Sequence, residues 1–481
     1  MFTEIRATNF KSWARLAPDG SASGLAHINS PGLSLGKVTG LFGANSSGKT
    51  SILQVPLLLK QTAESADRRS PLDLGNARSP IRLGTFRNIL RDHDTSTSLG
   101  FGLSWEVGEP VRFIDSGSGQ IGVFADGVLA FDTEVISRGD VMEVNRFRYW
   151  AGNNEISCQR GSGSPAAYTV DGTIDDATRL LRRTSGSDAK VMAPVKCYGF
   201  PETYSSSPQA GIFRDLEFSL EEAVRRIYYL GPLRDAPQPT YTWSGAPTAD
   251  VGFNGAAAIQ ALLTAQLGGY RQNFRVRSNS NMSRGPIGVE QHVAEWLQEL
   301  GLVHSFRVDP IQQDTNIYRV YVRRFQSSPE VLLTDIGFGV SQVLPVLVLL
   351  AYAPEGSTVI LEQPEIHLHP AVQSSLADVI LEAALVRNVQ VLVESHSEHL
   401  LKRIQLRVAE QKLTSGTPVS VDDVRLWFID QQDSVSQAKD LKINEYGEIV
   451  NWPPNFFGNP LEETAKMVKE GLRRRRNSAG S

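Results

Sequence analysis

Apolar and polar positions follow three patterns along this chain. A short apolar run, Val38 to Phe42, meets the glycine-rich segment Gly43–Gly48, and Thr50 to Lys60 is mostly apolar. This predicts a strand, a turn and a helix, with Pro56 expected to kink or shorten the helix. From about Leu99 to Asp215 the pattern changes to alternation, as in FGLSWEV, QIGVFADGVLAF and VMEVNRFRYW, broken by Gly, Asp, Asn and Ser. Antiparallel strands are expected there. The stretch SLEEAVRRIYYL predicts a helix beginning near Ser219, where Ser219 and Glu222 form a capping-box pattern. A second helix is expected from Gly288 to Leu300, and a hairpin from Ser305 to Arg324. The last third alternates strand and helix: Val359–Leu361, a helix after Pro370, Val389–Val393, a helix after Ser397, then Val424–Ile429. Strands alternating with helices predict a parallel sheet. No sustained heptads run between residues 60 and 330, which argues against long coiled-coil arms, and no internal repeat is visible.

Composition changes this picture only a little. At 481 residues the chain can bury the cores of two or three packed units. With 41% hydrophobic and 21% charged residues and a formal net charge of −4, it has no general attraction for nucleic acid. A local basic face stays open. The run Arg473–Arg476 reads as a solvated terminal segment, with a nucleic-acid or partner contact as the alternative. Cys158 and Cys197 are too few for a disulfide framework, so a reducing compartment is expected. The opening MFTEIRATNFKSW lacks a signal-peptide core, and the apolar stretch Val343 to Tyr352 is broken by Pro345 and too short to span a bilayer. The expectation is a cytoplasmic protein with no membrane partner.

Four segments carry chemistry. GANSSGKT, Gly43 to Thr50, fits the phosphate-binding pattern of two glycines, Lys and Thr. Such a loop turns backbone N–H groups toward phosphate oxygens at the positive end of the following helix. The residues expected around ATP are Gly43, Asn45, Ser46, Ser47, Gly48, Lys49, Thr50 and Ser51, with Lys49 on the β- and γ-phosphates and Thr50 on Mg2+. The second segment, TDIGFGVSQVLPVLVLL, places Gly337, Gly339, Ser341 and Gln342 before an apolar helix. Taken alone, it is also what an ordinary glycine-led core helix looks like. The third, STVILEQPEIHLHP, ends an apolar strand at Glu362, expected beside the phosphate loop, where a carboxylate can hold magnesium. The fourth, VQVLVESHSEHLL, ends another at Glu394-Ser395-His396, where the histidine can sense the γ-phosphate. His367, His369, His396 and His399 with Glu365 and Glu394 leave a zinc site as an alternative, although their spacing fits no standard zinc pattern.

The order of these segments resembles the ABC-type ATPase heads of the SMC/RecF and OLD superfamily, in a compact group without coiled-coil arms. NFKSW at Asn9–Trp13 resembles their opening strand, and EQPEIHLHP with ESHSEHLL their paired C-terminal motifs. YYLGPLR (Tyr228–Arg234) and NEYGEIVNWPPNFFG (Asn444–Gly458) resemble a subgroup whose C-terminal element has no assigned role. The resemblance implies a two-lobed α/β head with a mainly parallel core sheet, an antiparallel β insertion and a helical lobe. Its divisions would be 1–97 with the phosphate loop, 98–215 the insertion, 216–330 the helical lobe and hairpin, 331–430 the signature and switch part, and 431–481 the C-terminal element. It further implies Glu362 as the magnesium carboxylate, Ser341, Gly339 and Gln342 in a signature that meets the opposite head's ATP, His396 as the switch histidine and His369 on the dimer-facing loop. Two positions depart from the family. No glutamine loop is recognisable, since Gln54 and Gln61 lie too early. Gln363 stands where the polarising glutamate normally follows the magnesium carboxylate, so that either turnover is slow or Glu365, two residues on, supplies the missing carboxylate, the plain alternative being that Glu365 caps the following helix. Arg234 is expected to brace the lobes from within, with a nucleotide-sensing arginine as the alternative. The function implied is an ATP-driven homodimer with slow hydrolysis, regulating a separately encoded nuclease or other effector of an anti-phage or toxin-like module. A RecF-like repair ATPase that binds duplex DNA directly is the alternative.

Overall fold

The phosphate-loop helix, Lys49–Glu64, lies between two sheets, and the apolar residues on its sides account for both contacts. The computed structural model describes residues 1–15, 32–114, 121–139, 141–162, 167–173, 193–201, 211–278, 281–454, 456–457, 466–472 and 474. On one side of the helix, five strands run parallel in the order Ile227–Leu230, Thr358–Glu362, Gln390–Glu394, Val38–Gly43 and Val424–Gln432. Val435–Asp440 closes that edge antiparallel. The parallel strands read as unbroken apolar runs because both faces of the sheet are covered. Val359 and Leu361 pack into the core made with the helices Ala258–Leu267, Val289–Glu299, Phe338–Tyr352, Pro370–Val386 and Glu398–Glu410. Ile360, between them, points the other way and joins Ile52, Leu53 and Leu58 of the phosphate-loop helix.

The second sheet is antiparallel, in the order Tyr168–Gly172, Asn154–Arg160, Val141–Ala151, Val128–Arg138, Leu99–Glu106, Phe2–Phe10 and Trp13–Arg15, with Leu33–Ser34 on Phe2–Phe10. The alternating segments are antiparallel strands, as expected. They extend a sheet begun by the N-terminal strand, with Ile5 opposite Leu103. A smaller sheet, Tyr241–Thr242, Ile317–Arg323 and Ser305–Pro310 with Glu330–Leu332, contains the expected hairpin. The hairpin Arg271–Ser278 with Asn281–Gly288 was not visible in the pattern. At the C-terminal end, Phe456 packs edge-on against Phe42 and Phe428, at centroid distances of 6.2 and 4.7 Å. The C-terminal element thus backs the strand that leads to the phosphate loop. Asn455, Gly458, Arg473, Arg475 and Arg476 lie outside the described residues.

Two local expectations fail for identifiable reasons. Pro56 does not shorten its helix, which runs on to Glu64. Val55, Pro56, Leu57, Leu58 and Leu59 are all buried, and this packing outweighs the one backbone bond that proline removes. The Ser219 box marks no helix start either: the helix is Gly211–Arg225, and Ser219 lies inside it, accepting the Trp105 indole N–H at 3.2 Å. Its apolar face, Ile212, Phe213, Leu216, Leu220 and Val224, begins upstream of the expected start. Ile227–Leu230 leaves the helix to pair with Thr358–Leu361.

Glu217 on that helix gives the fold a pH dependence. Its carboxylate accepts the Phe200 N–H at 2.6 Å in a half-buried position, and burial first, then Glu221, pushes its pKa up to about 7 from an ordinary 4.5. The unfolded chain loses this proton near pH 4.5 and the folded chain only near 7, so stability falls as pH rises through that window. Glu217→Gln keeps the acceptor and removes the charge. It should flatten this slope and raise stability at pH 8 by about 1 kcal/mol after solvent screening. Urea midpoints at pH 5 and 8 measure it.

Candidate functional site

The phosphate loop is built from backbone that side chains would obstruct. Gly43 has φ 141°, and a Cβ there would come within 2.0 Å of the Ile429 carbonyl oxygen. Gly48 has φ 102°, and its Cβ would meet Ser436 Oγ at 2.4 Å and Ser12 Oγ at 2.8 Å. Glycine is needed at both. Behind the loop, Trp13 Nε1 donates to the Gly48 carbonyl at 3.1 Å and the Ser436 N–H to the Ser12 carbonyl at 2.9 Å. The NFKSW turn and the antiparallel edge strand thereby fix the loop from outside the core motif.

The loop's inner surface suits a polyphosphate. The helix after it has no acidic residue in its first turn, so its positive end is uncompensated. Lys49 Nζ is folded back onto the carbonyls of Gly43, at 3.1 Å, and Ala44, at 2.6 Å. Burial lowers the Lys49 pKa, against the raising effect of Glu394 and Glu365. Ser47 is buried and its Oγ has no partner among the described residues, while Asn45 and Ser46 are exposed at the rim. A buried hydroxyl without a partner and an ammonium bound only to carbonyls are groups that phosphate oxygens would satisfy.

Beside the loop opens a cleft of about 430 Å³, lined by Ser12, Asn45 to Ser51, Gln363, Glu394 and His396. The structure thus brings the expected loop residues together with Gln363 and His396. It places Glu362 elsewhere. The strand next to the phosphate-loop strand is Gln390–Glu394, and Thr358–Glu362 lies one strand further out, contrary to the expectation that Glu362 borders the loop. The cause is sheet order, in which the histidine strand inserts between the other two. Glu362 is buried and accepts the Tyr229 hydroxyl at 3.0 Å. Burial and then Glu394 push its pKa up to about 7, against Tyr229 and Lys11. Glu394 occupies the position nearer the loop, where the Thr50 hydroxyl donates to its Oε2 at 2.8 Å. Burial raises its pKa too, opposed by Thr50, Lys49 and Gln363.

Gln363 has a left-handed backbone, φ 46°, with its N–H on the Glu394 carbonyl at 2.8 Å. Its own carbonyl accepts Arg234, which also reaches the carbonyls of Gln342 and Glu362, so Arg234 ties the end of the Glu362 strand to the glycine-led helix. Glu365 does not line the cleft and does not cap the following helix. It is buried, and its Oε1 accepts the His396 N–H at 2.7 Å, holding the histidine loop. Burial is the main cause of its raised pKa. For His396, burial first and then the Lys49 charge lower the pKa, against a raising contact with the Gly43 backbone.

Gly339, Ser341, Gln342 and His369 stand apart from this cleft. Ser341 is buried, its Oγ donating to the Phe338 carbonyl at 2.9 Å, and the exposed groups at that helix start are Gly337 and Phe338. His369 N-caps Pro370–Val386, accepting the Ala371 N–H at 3.3 Å. His367 and His399 are exposed. The four histidines of the zinc alternative are thus spread over three settings, and no metal-holding group of three or more His, Cys, Asp or Glu occurs among the described residues. Sequence reasoning missed Ser12, and it gave Glu394 only a part in the zinc alternative. A signal for Glu394 existed, because VILE and VLVE are matching apolar runs that both end in glutamate.

Residues 305–402 match the family model described as AAA domain, putative AbiEii toxin, Type IV TA system. Residues 419–467 match one described as Protein of unknown function (DUF3696). No curated protein matches the chain. Solved structures overlap it loosely. The SMC head bound to the C-winged helix domain of ScpA is 11% identical, covering 92% of this chain and 98% of that one, with a TM-score of 0.42. The SMC head domain from Thermotoga maritima gives 10%, 92%, 99% and 0.37. The SMC head with an extended coiled coil bound to the C-terminal domain of ScpA, from Pyrococcus furiosus, gives 10%, 98%, 98% and 0.41. No helix of the described residues is long and apolar enough to cross a membrane. The phosphate loop, the glycine-led helix and two acid-ended strands thus meet around one parallel sheet in a mixed α/β fold, and residues 305–402 of it match an AAA domain.

Proposed function

We propose that the chain binds ATP with Mg2+ in the phosphate-loop cleft, closes against a second copy around it, and hydrolyses it slowly. The observation that carries this reading is the single cleft in which Lys49, Thr50, Gln363, Glu394 and His396 converge on the loop. In it Lys49 and the loop N–H groups bind phosphates, Thr50 with a strand-end carboxylate holds the ion, and neutral His396 reports on the γ-phosphate. Magnesium supplies charge neutralisation for the phosphates when it is bound. The glycine-led helix, standing outside this cleft with an exposed first turn, is the part that a second head's nucleotide would meet. As an output we favour control of a separate effector. The description of the model matching residues 305–402, a toxin of a toxin–antitoxin system, supports this over direct duplex binding.

Slow turnover follows from the groups at the cleft. The Gln363 amide can orient a water but cannot take its proton. Glu365, the other expected base, has its Oε1 on the His396 N–H and its side chain outside the cleft. Steady-state phosphate release from the wild type, Gln363→Glu and Glu365→Gln tests the reading. Gln363→Glu should release phosphate roughly 100-fold faster, the low end of what a positioned base contributes. Glu365→Gln should change the rate little. Brisk wild-type turnover that Glu365→Gln eliminates would instead give Glu365 the catalytic role.

A further inference from the structure

The hydrogen bonds of Arg234 go to backbone carbonyls. Its Nη1 donates to that of Gln342 at 3.0 Å, and its Nη2 to those of Gln363 at 3.2 Å and Glu362 at 3.5 Å. Its Nε is buried and has no partner among the described residues. Burial lowers its pKa to about 10, against the raising charge of Glu365. A buried cation without a bonded carboxylate is costly, and an apolar side chain of similar size would brace the same elements at less cost.

The carbonyls belong to two elements with different tasks. Gln342 lies in the second turn of Phe338–Tyr352, whose exposed first turn is the part that a second head's nucleotide would meet. Pro345 in that helix has no N–H for the Ser341 carbonyl, so the helix holds this stretch less tightly by itself. A cavity of about 260 Å³, lined among others by Asp235, Gln260, Ser341 and Pro345, borders the same stretch and leaves it room to shift. At the other end, Gln363 lines the nucleotide cleft with a left-handed backbone of φ 46°. Such a backbone is strained in a non-glycine residue and persists only where neighbours hold it. The Glu394 carbonyl holds the Gln363 N–H, and Arg234 holds its carbonyl. A guanidinium is a rigid planar fork, so a shift of the helix at Gln342 is carried to the Gln363 peptide and on to its carboxamide. We propose that Arg234 is a positioning residue through which the second copy's nucleotide, once it engages the glycine-led helix, sets the Gln363 side chain for hydrolysis in the first head. The assignment rests on the two-head reading above. It makes turnover at each site answer to the occupancy of the other.

The test uses the full chain and follows phosphate release against ATP concentration. Wild type should give a sigmoidal curve with a Hill coefficient of about 2, the number of coupled sites. Arg234→Lys keeps the charge but has no fork to span both elements. Its kcat should fall about tenfold or more, the cost of misplacing a positioned group, with KM within about threefold and a Hill coefficient of about 1. ATP affinity by calorimetry and ATP-driven association by light scattering should stay as in wild type. Gly339→Glu, which blocks closure, should lower kcat by a similar factor, and the double variant should be no slower than either single one. Full activity in Arg234→Lys overturns the assignment, because charge alone then suffices. So do losses that multiply in the double variant, or weaker ATP binding in Arg234→Lys, which would make the arginine a nucleotide contact. Should Arg234→Lys fail to fold, an unchanged kcat in Gly339→Glu still overturns it. Wild-type protein that binds ATP without associating would overturn the two-head reading itself, a separate outcome.

Discussion

Lys49→Ala should weaken ATP binding by about 100-fold or more, to the point that calorimetry detects no tight site. Charge-assisted hydrogen bonds contribute about 1.5–3 kcal/mol each, and the ammonium would make more than one to the phosphates. The structure adds a second cost. Lys49 now neutralises the carbonyls of Gly43 and Ala44, and with alanine those two oxygens would face the incoming phosphates unopposed. Glu394, whose charge Lys49 partly balances, would repel the nucleotide too. The fold should persist, because the loop is fixed independently by Trp13 and by the Ser12–Ser436 contacts. Unchanged affinity in a folded variant would remove the phosphate-loop assignment.

Closure between heads should be lost in Gly339→Glu while ATP binding to one head stays normal. Gly339 lies in the first turn of Phe338–Tyr352, and a Cβ there meets nothing nearer than Leu368 Cδ2 at 3.8 Å, so the side chain has room. A carboxylate in the first turn also favours the helix itself. Against the γ-phosphate of an opposing head it is a like charge, a juxtaposition that costs several kcal/mol and so about 100-fold or more in association. Ser341→Arg is the less clean variant, since Ser341 is buried and its hydroxyl is tied to Phe338, so arginine would have to push out of the interior. Light scattering with and without ATP reads the outcome. If Gly339→Glu still associates on adding ATP, the second head's nucleotide is met by some other element.

What was legible beforehand was local. The run from Val38 through Thr50 states strand, loop and helix within thirteen neighbouring residues, and the apolar runs at Val359 and Val391 state buried strands. What was not legible depended on distant partners. Ile227–Leu230 continues a helical pattern in sequence, and only pairing with Thr358–Leu361 makes it a strand. The position of Glu394 against Thr50 depends on which strand inserts beside Val38–Gly43, and no spacing along the chain reveals an insertion of that kind. Glu365 was read as a substitute base or a helix cap because its true partner, the His396 N–H, comes from the next strand's end.

The sheet order also has a consequence for how the protein comes to be made. The strand that precedes the phosphate loop leaves the ribosome well before its two neighbours, Gln390–Glu394 and Val424–Gln432, which are about 350 residues or more downstream. At ordinary elongation rates that interval is roughly 20–70 s. Until then both edges of Val38–Gly43 are unpaired, and Leu41 and Phe42 have only part of their native cover. The N-terminal strand does not wait as long, because Leu99–Glu106 can pair with it early. Maturation should therefore be biphasic, the antiparallel sheet forming first and the nucleotide sheet only after Gln390–Glu394 and Val424–Gln432 have emerged. A nascent chain of this kind exposes aggregation-prone strand edges throughout that interval, and its yield should depend on chaperones that shield such edges.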